Sequence, residues 1–150
     1  MSHENVEVVR AFFEAWNAGD TDAVVELVDA DVDYFPSRKL PEARPCHGPE
    51  EVLRFMGRYL DAYSRHEWAI QDVIEVGGDR LLVRVNLRVE GRDSGVKLEG
   101  DLYHCFWLRD GRFFRVEDHM TLSGALHALG LEGETLEAVG LSEQDAHADS

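Results

Sequence analysis

The spacing of apolar residues changes once along the chain, and that change restricts the fold more than any other feature. From Leu81 to Glu90, Leu81, Val83, Val85, Leu87 and Val89 alternate with Leu82, Arg84, Asn86, Arg88 and Glu90. A period of two marks a strand buried on one face. Before about residue 65 the spacing is helical instead. Val6, Val9, Phe12, Phe13 and Trp16 form one stripe, and Val52, Phe55, Met56, Tyr59, Leu60 and Tyr63 form another that is expected to run to about Arg65. Between them, Asn17-Ala18-Gly19-Asp20 breaks the first helix, and Asp20 or Thr21 caps a shorter one carrying Val24, Leu27 and Val28. Asp31 to Pro36 reads as a short edge strand, and residues 36–48 as a loop long enough to shape or cover a pocket. After residue 66 four strands are expected, joined by turns at Gly77-Gly78-Asp79, Gly91 to Gly95 and Asp110-Gly111. Residues 122–129 read as a closing helix, residues 134–139 as one more helical turn, and the end of the chain as a polar tail. Helices followed by antiparallel strands define an α+β fold with the helices on one face of the sheet.

The last two strands can be set in register by packing. Val96, Leu98, Leu102, Phe106 and Leu108 share one phase with His104; Phe114, Val116 and Met120 share one with Asp118. A one-residue slip would turn a whole face outward. Pairing Leu108 with Phe114 and Phe106 with Val116 sets His104 opposite Asp118. It calls for a three-residue loop at 110–112 with Gly111 in the left-handed region. Cross-strand neighbours lie with Cβ atoms ~5 Å apart. Two titratable groups thus meet on an apolar concave face, where they can trade a proton as acid and base or simply satisfy each other's polarity. Trp16, Tyr34, Phe55, Tyr59 and Tyr63, with Phe106 on the strand of His104, are the residues expected to line a pocket and grip an apolar or aromatic ligand.

Charge narrows the partners. The 150 residues hold 30 acids against 15 bases, a net charge of −15. That repels nucleic acid and anionic membranes, and disfavours a strongly anionic substrate unless local bases offset the field. Cys46 and Cys105 form no motif and are expected to be free thiols. No basic start followed by an apolar run opens the chain, and no stretch approaches the ~18 apolar residues of a membrane span, so a cytoplasmic location is expected. Cys46-His47 and the pair His104–Asp118 lack metal-ligand spacing, so no metal is expected. No glycine-rich phosphate loop or serine elbow occurs. On the sheet's other face, Tyr103 and Trp107 stand among Arg84, Asn86, Arg88, Glu99, Asp101, Arg115, Glu117 and His119. Exposed aromatics in that setting suggest a homodimer interface.

The stretches Phe12 to Leu27 (FFEAWNAGDTDAVVEL), His47 to Phe55 (HGPEEVLRF), Ser94 to Met120 and Ala125 to Leu131 (ALHALGL) resemble SnoaL-like proteins of the nuclear-transport-factor-like superfamily. The resemblance covers residues 1–131 and leaves 132–150 as a C-terminal extension. It implies a curved sheet wrapped around the N-terminal helices as a cone with a central apolar pocket, often dimeric through the outer face. SnoaL-type polyketide cyclases close a ring by aldol chemistry without a cofactor. They use an aspartate on the last strand as acid/base with a histidine nearby, and Asp118 and His104 match these. The ketosteroid isomerase pattern fits poorly: Phe12 stands near its helix-1 tyrosine, and Phe35-Pro36 lacks its base. The Asp-Arg-Asp set of limonene epoxide hydrolases has no clear counterpart.

Two functional expectations follow. One is a cofactor-free cyclase, isomerase or dehydratase acting on a small apolar or polycyclic carbonyl compound. The other is a non-catalytic small-molecule binder or accessory dimer.

Overall fold

A computed structural model describes residues 3–38, 40 and 43–131. The expected helical turn at 134–139 and the polar tail lie outside the described residues. The elements run α1 (His3–Ala18), α2 (Thr21–Leu27), β1 (Val28–Phe35), β2 (Cys46–His47), α3 (Gly48–Ala62), β3 (Tyr63–Val76), β4 (Arg80–Gly91), β5 (Lys97–Arg109), β6 (Arg112–His119) and α4 (Leu122–Ala128). The six strands form a curved, unclosed sheet in the order β2-β1-β6-β5-β4-β3. The helices α1 and α3 lay their apolar stripes against its inner face, giving the expected α+β layers.

Helix boundaries follow local chemistry. The Asp20 side chain accepts the Ala23 N–H at 3.1 Å and caps α2. Helix α3 starts with Pro49 in its first turn and Glu50 and Glu51 at the positive end of its dipole. Glu51 reaches back to the His47 N–H at 2.8 Å. The helix stops at Ala62, earlier than its stripe suggests, because Tyr63 is already extended and opens β3.

Three expectations about the sheet need correction. The 31–36 segment is not an edge strand: β1 runs from Val28 to Phe35 between β2 and β6, and the two-residue β2 takes the edge. Its pairing with β6 is parallel, so the sheet is not wholly antiparallel. The β5–β6 turn is also shorter than expected. Arg109 pairs with Arg112 across Asp110 (φ 53°) and Gly111 (φ 77°), a tight turn needing two left-handed residues. The odd residue is taken up by a bulge: Trp107 pairs with Arg115 but Leu108 with Phe113. Phe113 therefore enters the core, and Phe114 moves outside under Arg109. Val96 and Met120, assigned to the inner phase, are instead exposed just beyond the strand ends.

The outer face is not open as expected. Helix α4 packs over it and buries Tyr103 and Cys105 with Leu82, Leu122, Ala125 and Leu129. Tyr103 is therefore covered and offers no surface to a second copy on that face. Trp107 stays half-buried beside Arg115, at 5.7 Å. Both cysteines are free and buried.

Candidate functional site

The register around the candidate pair is the expected one. Phe106 faces Val116, and two residues on His104 faces Asp118. The inner phase of β5 buries His104 to 1% exposure. Its Nε2 lies 2.8 Å from Asp118 Oδ1, with neither side chain exposed beyond 1%. The approach is close but off the line of a ring N–H. Asp118 Oδ1 and His104 Nδ1 both lack an aligned hydrogen-bond partner among the described residues.

The other carboxylate oxygen is well held. The Tyr34 hydroxyl donates to Asp118 Oδ2 at 3.0 Å, and the Ser37 N–H donates to it at 3.3 Å. These contacts exist because β1 runs parallel to β6, with Tyr34 beside Val116 on the inner face. Burial first, and then the neighbouring Asp118 charge, hold the Tyr34 hydroxyl well above the usual tyrosine range, so it stays a donor. Just after β1, Ser37 and Leu40 are each 1% exposed, and Ser37 touches the pair through its N–H. A cavity of about 580 Å³ is bordered by Phe35, Pro36, Arg38, Arg44, His119 and Met120. It meets Asp118 through its main chain, because the carboxylate itself has 0% exposure.

Around the pair stands a cluster of aromatic rings. All six residues expected to line a pocket belong to it as packed core side chains, each 6% exposed or less, and none borders the cavity beside Phe35 and Met120. Trp16 contacts Tyr34, Phe55 and Tyr59 at centroid distances of 6.1, 5.8 and 5.8 Å. Tyr63 packs on Tyr59 at 5.2 Å, and Phe106 stacks on His104 at 5.9 Å and 15°. Three partners escaped the sequence reading. Trp68 stands 5.0 Å from His104, Phe13 stands 5.2 Å from it, and Ser37 gives its N–H to Asp118. Trp68 and Phe13 were legible as apolar positions, but nothing in the spacing aimed them at His104.

The contacts close into a circuit. Trp16 touches Tyr34, Tyr34 bonds Asp118, Asp118 meets His104, His104 meets Trp68, Trp68 touches Tyr59 at 6.3 Å, and Tyr59 returns to Trp16. Asn17, read from sequence as a helix breaker, ends α1 and clamps Trp68. Its side chain accepts the Trp68 N–H at 2.9 Å and donates to the Trp68 carbonyl at 3.0 Å. His66, one inner-face position further along β3, packs on Tyr59 at 5.1 Å, and burial lowers its pKa. Among the described residues no cluster of three or more His, Cys, Asp or Glu side chains is placed to hold a metal ion.

A curved, unclosed sheet laid over helices, with His104 and Asp118 buried side by side in an aromatic cluster, defines the class, a conical α+β fold. The chain belongs to the SnoaL-like domain family, whose model matches residues 9–116. Among solved structures, a nuclear-transport-factor-2-like protein of unknown function from Burkholderia pseudomallei is 25% identical. It superposes with a TM-score of 0.70, over 85% of this chain and 97% of that one. A candidate polyketide cyclase from Sinorhizobium meliloti is 27% identical with a TM-score of 0.60, over 75% and 94%. TerC, crystallised with polyporic acid, shares the fold at 23% identity with a TM-score of 0.68, over 84% and 97%. No curated protein matches the sequence. Among the described residues no helix is long and apolar enough to cross a membrane.

Proposed function

We propose that the protein is a cofactor-free acid–base catalyst, a cyclase, isomerase or dehydratase for a small aromatic or polycyclic carbonyl compound. The observation that carries this reading is the buried carboxylate of Asp118. One oxygen is pinned by Tyr34 and Ser37, while the other faces His104 without an aligned donor. Pinning fixes the carboxylate's orientation, and Oδ1 keeps acceptor capacity toward the interior. In this reading Asp118 takes and returns a proton at Oδ1, and His104 polarises a substrate oxygen through its ring. A catalytic hydrogen bond is often misaligned without substrate and tightens once substrate arrives. Aldol closure, dehydration and isomerisation all need this proton traffic. The Sinorhizobium meliloti relative and the ligand held by TerC support a small-molecule occupant of this kind. On an identified substrate, Asp118→Asn is expected to abolish turnover while circular dichroism and melting show an intact fold. Survival of turnover would remove Asp118 from the mechanism.

One observation favours a second reading, a non-catalytic binder. The Asp118 and His104 side chains are almost completely enclosed, as a pair serving only to satisfy buried polarity would be. If so, replacing both with leucine leaves stability unchanged or raises it. A large loss in urea unfolding would count against that reading. Pairing of two copies through the outer sheet face rests on half-buried Trp107 and Arg115 now that Tyr103 is covered. A dimer through that face requires light scattering to give twice the monomer mass, and a Trp107→Glu variant to fall to one.

A further inference from the structure

The cavity of about 580 Å³ beside Phe35 and Met120 carries a charge unlike that of the whole molecule. Strands β1 and β6 run parallel, with Phe35 beside Glu117, so the chain leaves both at one end of the sheet. There Arg38 and Arg44 border the cavity from the loop that follows β1. Both are exposed, and neither pairs with an acidic side chain among the described residues; Arg44 gives one N–H to the Ala43 carbonyl at 2.9 Å. Arg54, Arg84, Arg88 and Arg109, by contrast, each stand within 3.3 Å of a carboxylate oxygen. The two acids at the cavity do not offset the arginines. Glu117 is engaged at both oxygens, by Arg115 at 2.6 Å and by His119 at 2.9 Å. The Asp118 carboxylate faces His104 with 0% exposure. A chain with 30 acids against 15 bases thus presents a concave wall bearing two uncompensated cations. A cleft lined by one sign of charge focuses its field and draws in the opposite sign. The wall is otherwise largely apolar, with Phe35, Pro36, Pro45 and Met120, the last 54% exposed.

We infer that this cavity is a ligand site of its own, apart from the aromatic interior, and that it takes an organic acid: a carboxylate joined to an apolar body. A guanidinium is a planar fork that matches a carboxylate through two parallel hydrogen bonds. Arg38 and Arg44 supply two such forks for the anion, and Phe35, Pro36, Pro45 and Met120 cover the apolar body. Pro36 and Pro45 have fixed φ angles, which stiffens the backbone on either side of the two arginines. The volume lies within the roughly 300–1,000 Å³ of small-molecule sites. A bare inorganic anion would leave the apolar wall wet, and an uncharged ring would leave the guanidinium groups without a counter-charge. The site does not depend on the acid–base reading, because Asp118 meets the cavity only through its main chain.

The test uses four probes: 2-naphthoate, its uncharged amide 2-naphthamide, octanoate and acetate. The naphthalene pair differs in charge at nearly constant shape, octanoate replaces the ring with a chain, and acetate removes the apolar body. Calorimetric titration of the full chain in low-salt buffer should give a Kd of about 1 mM or tighter for 2-naphthoate or octanoate, at least tenfold tighter than for 2-naphthamide or acetate. Added salt should weaken the carboxylates and leave the amide unchanged. Arg38→Gln and Arg44→Gln should each weaken carboxylate binding about tenfold, as expected for loss of one charged hydrogen bond, and change amide binding less than about twofold. Arg10→Gln, on α1, should change neither. With methionine methyl groups labelled, the bound carboxylate should shift the Met120 signal and leave that of buried Met56 in place. Tighter binding of 2-naphthoate than octanoate supports an aryl acid as the ligand, and the reverse order supports an alkyl acid. Equal binding of 2-naphthoate and 2-naphthamide overturns the inference, as does a carboxylate preference that survives both arginine variants. A Met120 signal that stays put at saturation overturns it too, as does failure of both larger carboxylates to bind. Asp118→Asn should bind the carboxylates as the wild type does; loss of binding in that folded variant would overturn a site separate from the interior.

Discussion

Tyr34 shows how much one side chain does here. Its hydroxyl reaches Asp118 from a neighbouring strand, and its ring lies within 6.1 Å of Trp16 and 5.7 Å of Phe55. Tyr34→Phe keeps the ring contacts and removes the donor to a carboxylate. Hydrogen bonds to charged groups are worth about 1.5–3 kcal/mol, so a loss of that size is expected in urea unfolding. The pH dependence has a definite sign. Burial and Asp118 raise the folded-state pKa of Tyr34 above its unfolded value near 10. Its contribution is therefore fully present below about pH 10 and lost as pH rises above it. Absorbance at 295 nm should show Tyr34 ionising only with unfolding, and Tyr34→Phe should flatten the alkaline fall in stability. A tyrosine that titrates near pH 10 in the folded protein would contradict this account.

At the scale of elements, the join between α1 and β3 carries the site. Asn17 grips the Trp68 main chain with both ends of its amide, so the last turn of α1 sets where the Trp68 indole stands relative to His104. Asn17→Ala removes two hydrogen bonds at about 0.5–1.5 kcal/mol each, predicting a loss of about 1–3 kcal/mol. The Trp68 indole resonance should shift while that of Trp107 does not. The same strand explains why Trp68 was harder to place than His104. The alternation of β4 and the pairing of Phe106 with Val116 are continuous enough to set Asp118 opposite His104. In β3, by contrast, a bulge between Ile70 and Asp72 reverses the phase. Ile74 packs outside with α4, whereas Ile70, Trp68 and His66 pair with inward Val85, Leu87 and Val89. Counting by two from Val76 therefore turns Trp68 the wrong way. Tyr103 fails for a different reason. Its alternation correctly points it outward, but only tertiary structure brings α4 back to cover it.

For the whole molecule, the helical stripes, the alternating strands and the pair His104–Asp118 were all legible, because each depends on local period or on one hairpin. The parallel contact of β1 with β6 was not, since it joins residues more than eighty positions apart with no turn to set their register. That contact brings Tyr34 and Ser37 to Asp118 and makes the pair a positioned carboxylate. The outcome is a cone whose acidic surface encloses an aromatic interior, with one oxygen of Asp118 held and the other facing inward. The most direct measurement of the central claim is deuterium exchange at the α-carbons of 2-tetralone in D₂O, followed by proton NMR. A buried general base predicts exchange faster than buffer by about 10²–10⁴-fold with the wild-type protein, falling close to the buffer rate in folded Asp118→Asn. Exchange of equal speed in the two proteins would contradict it.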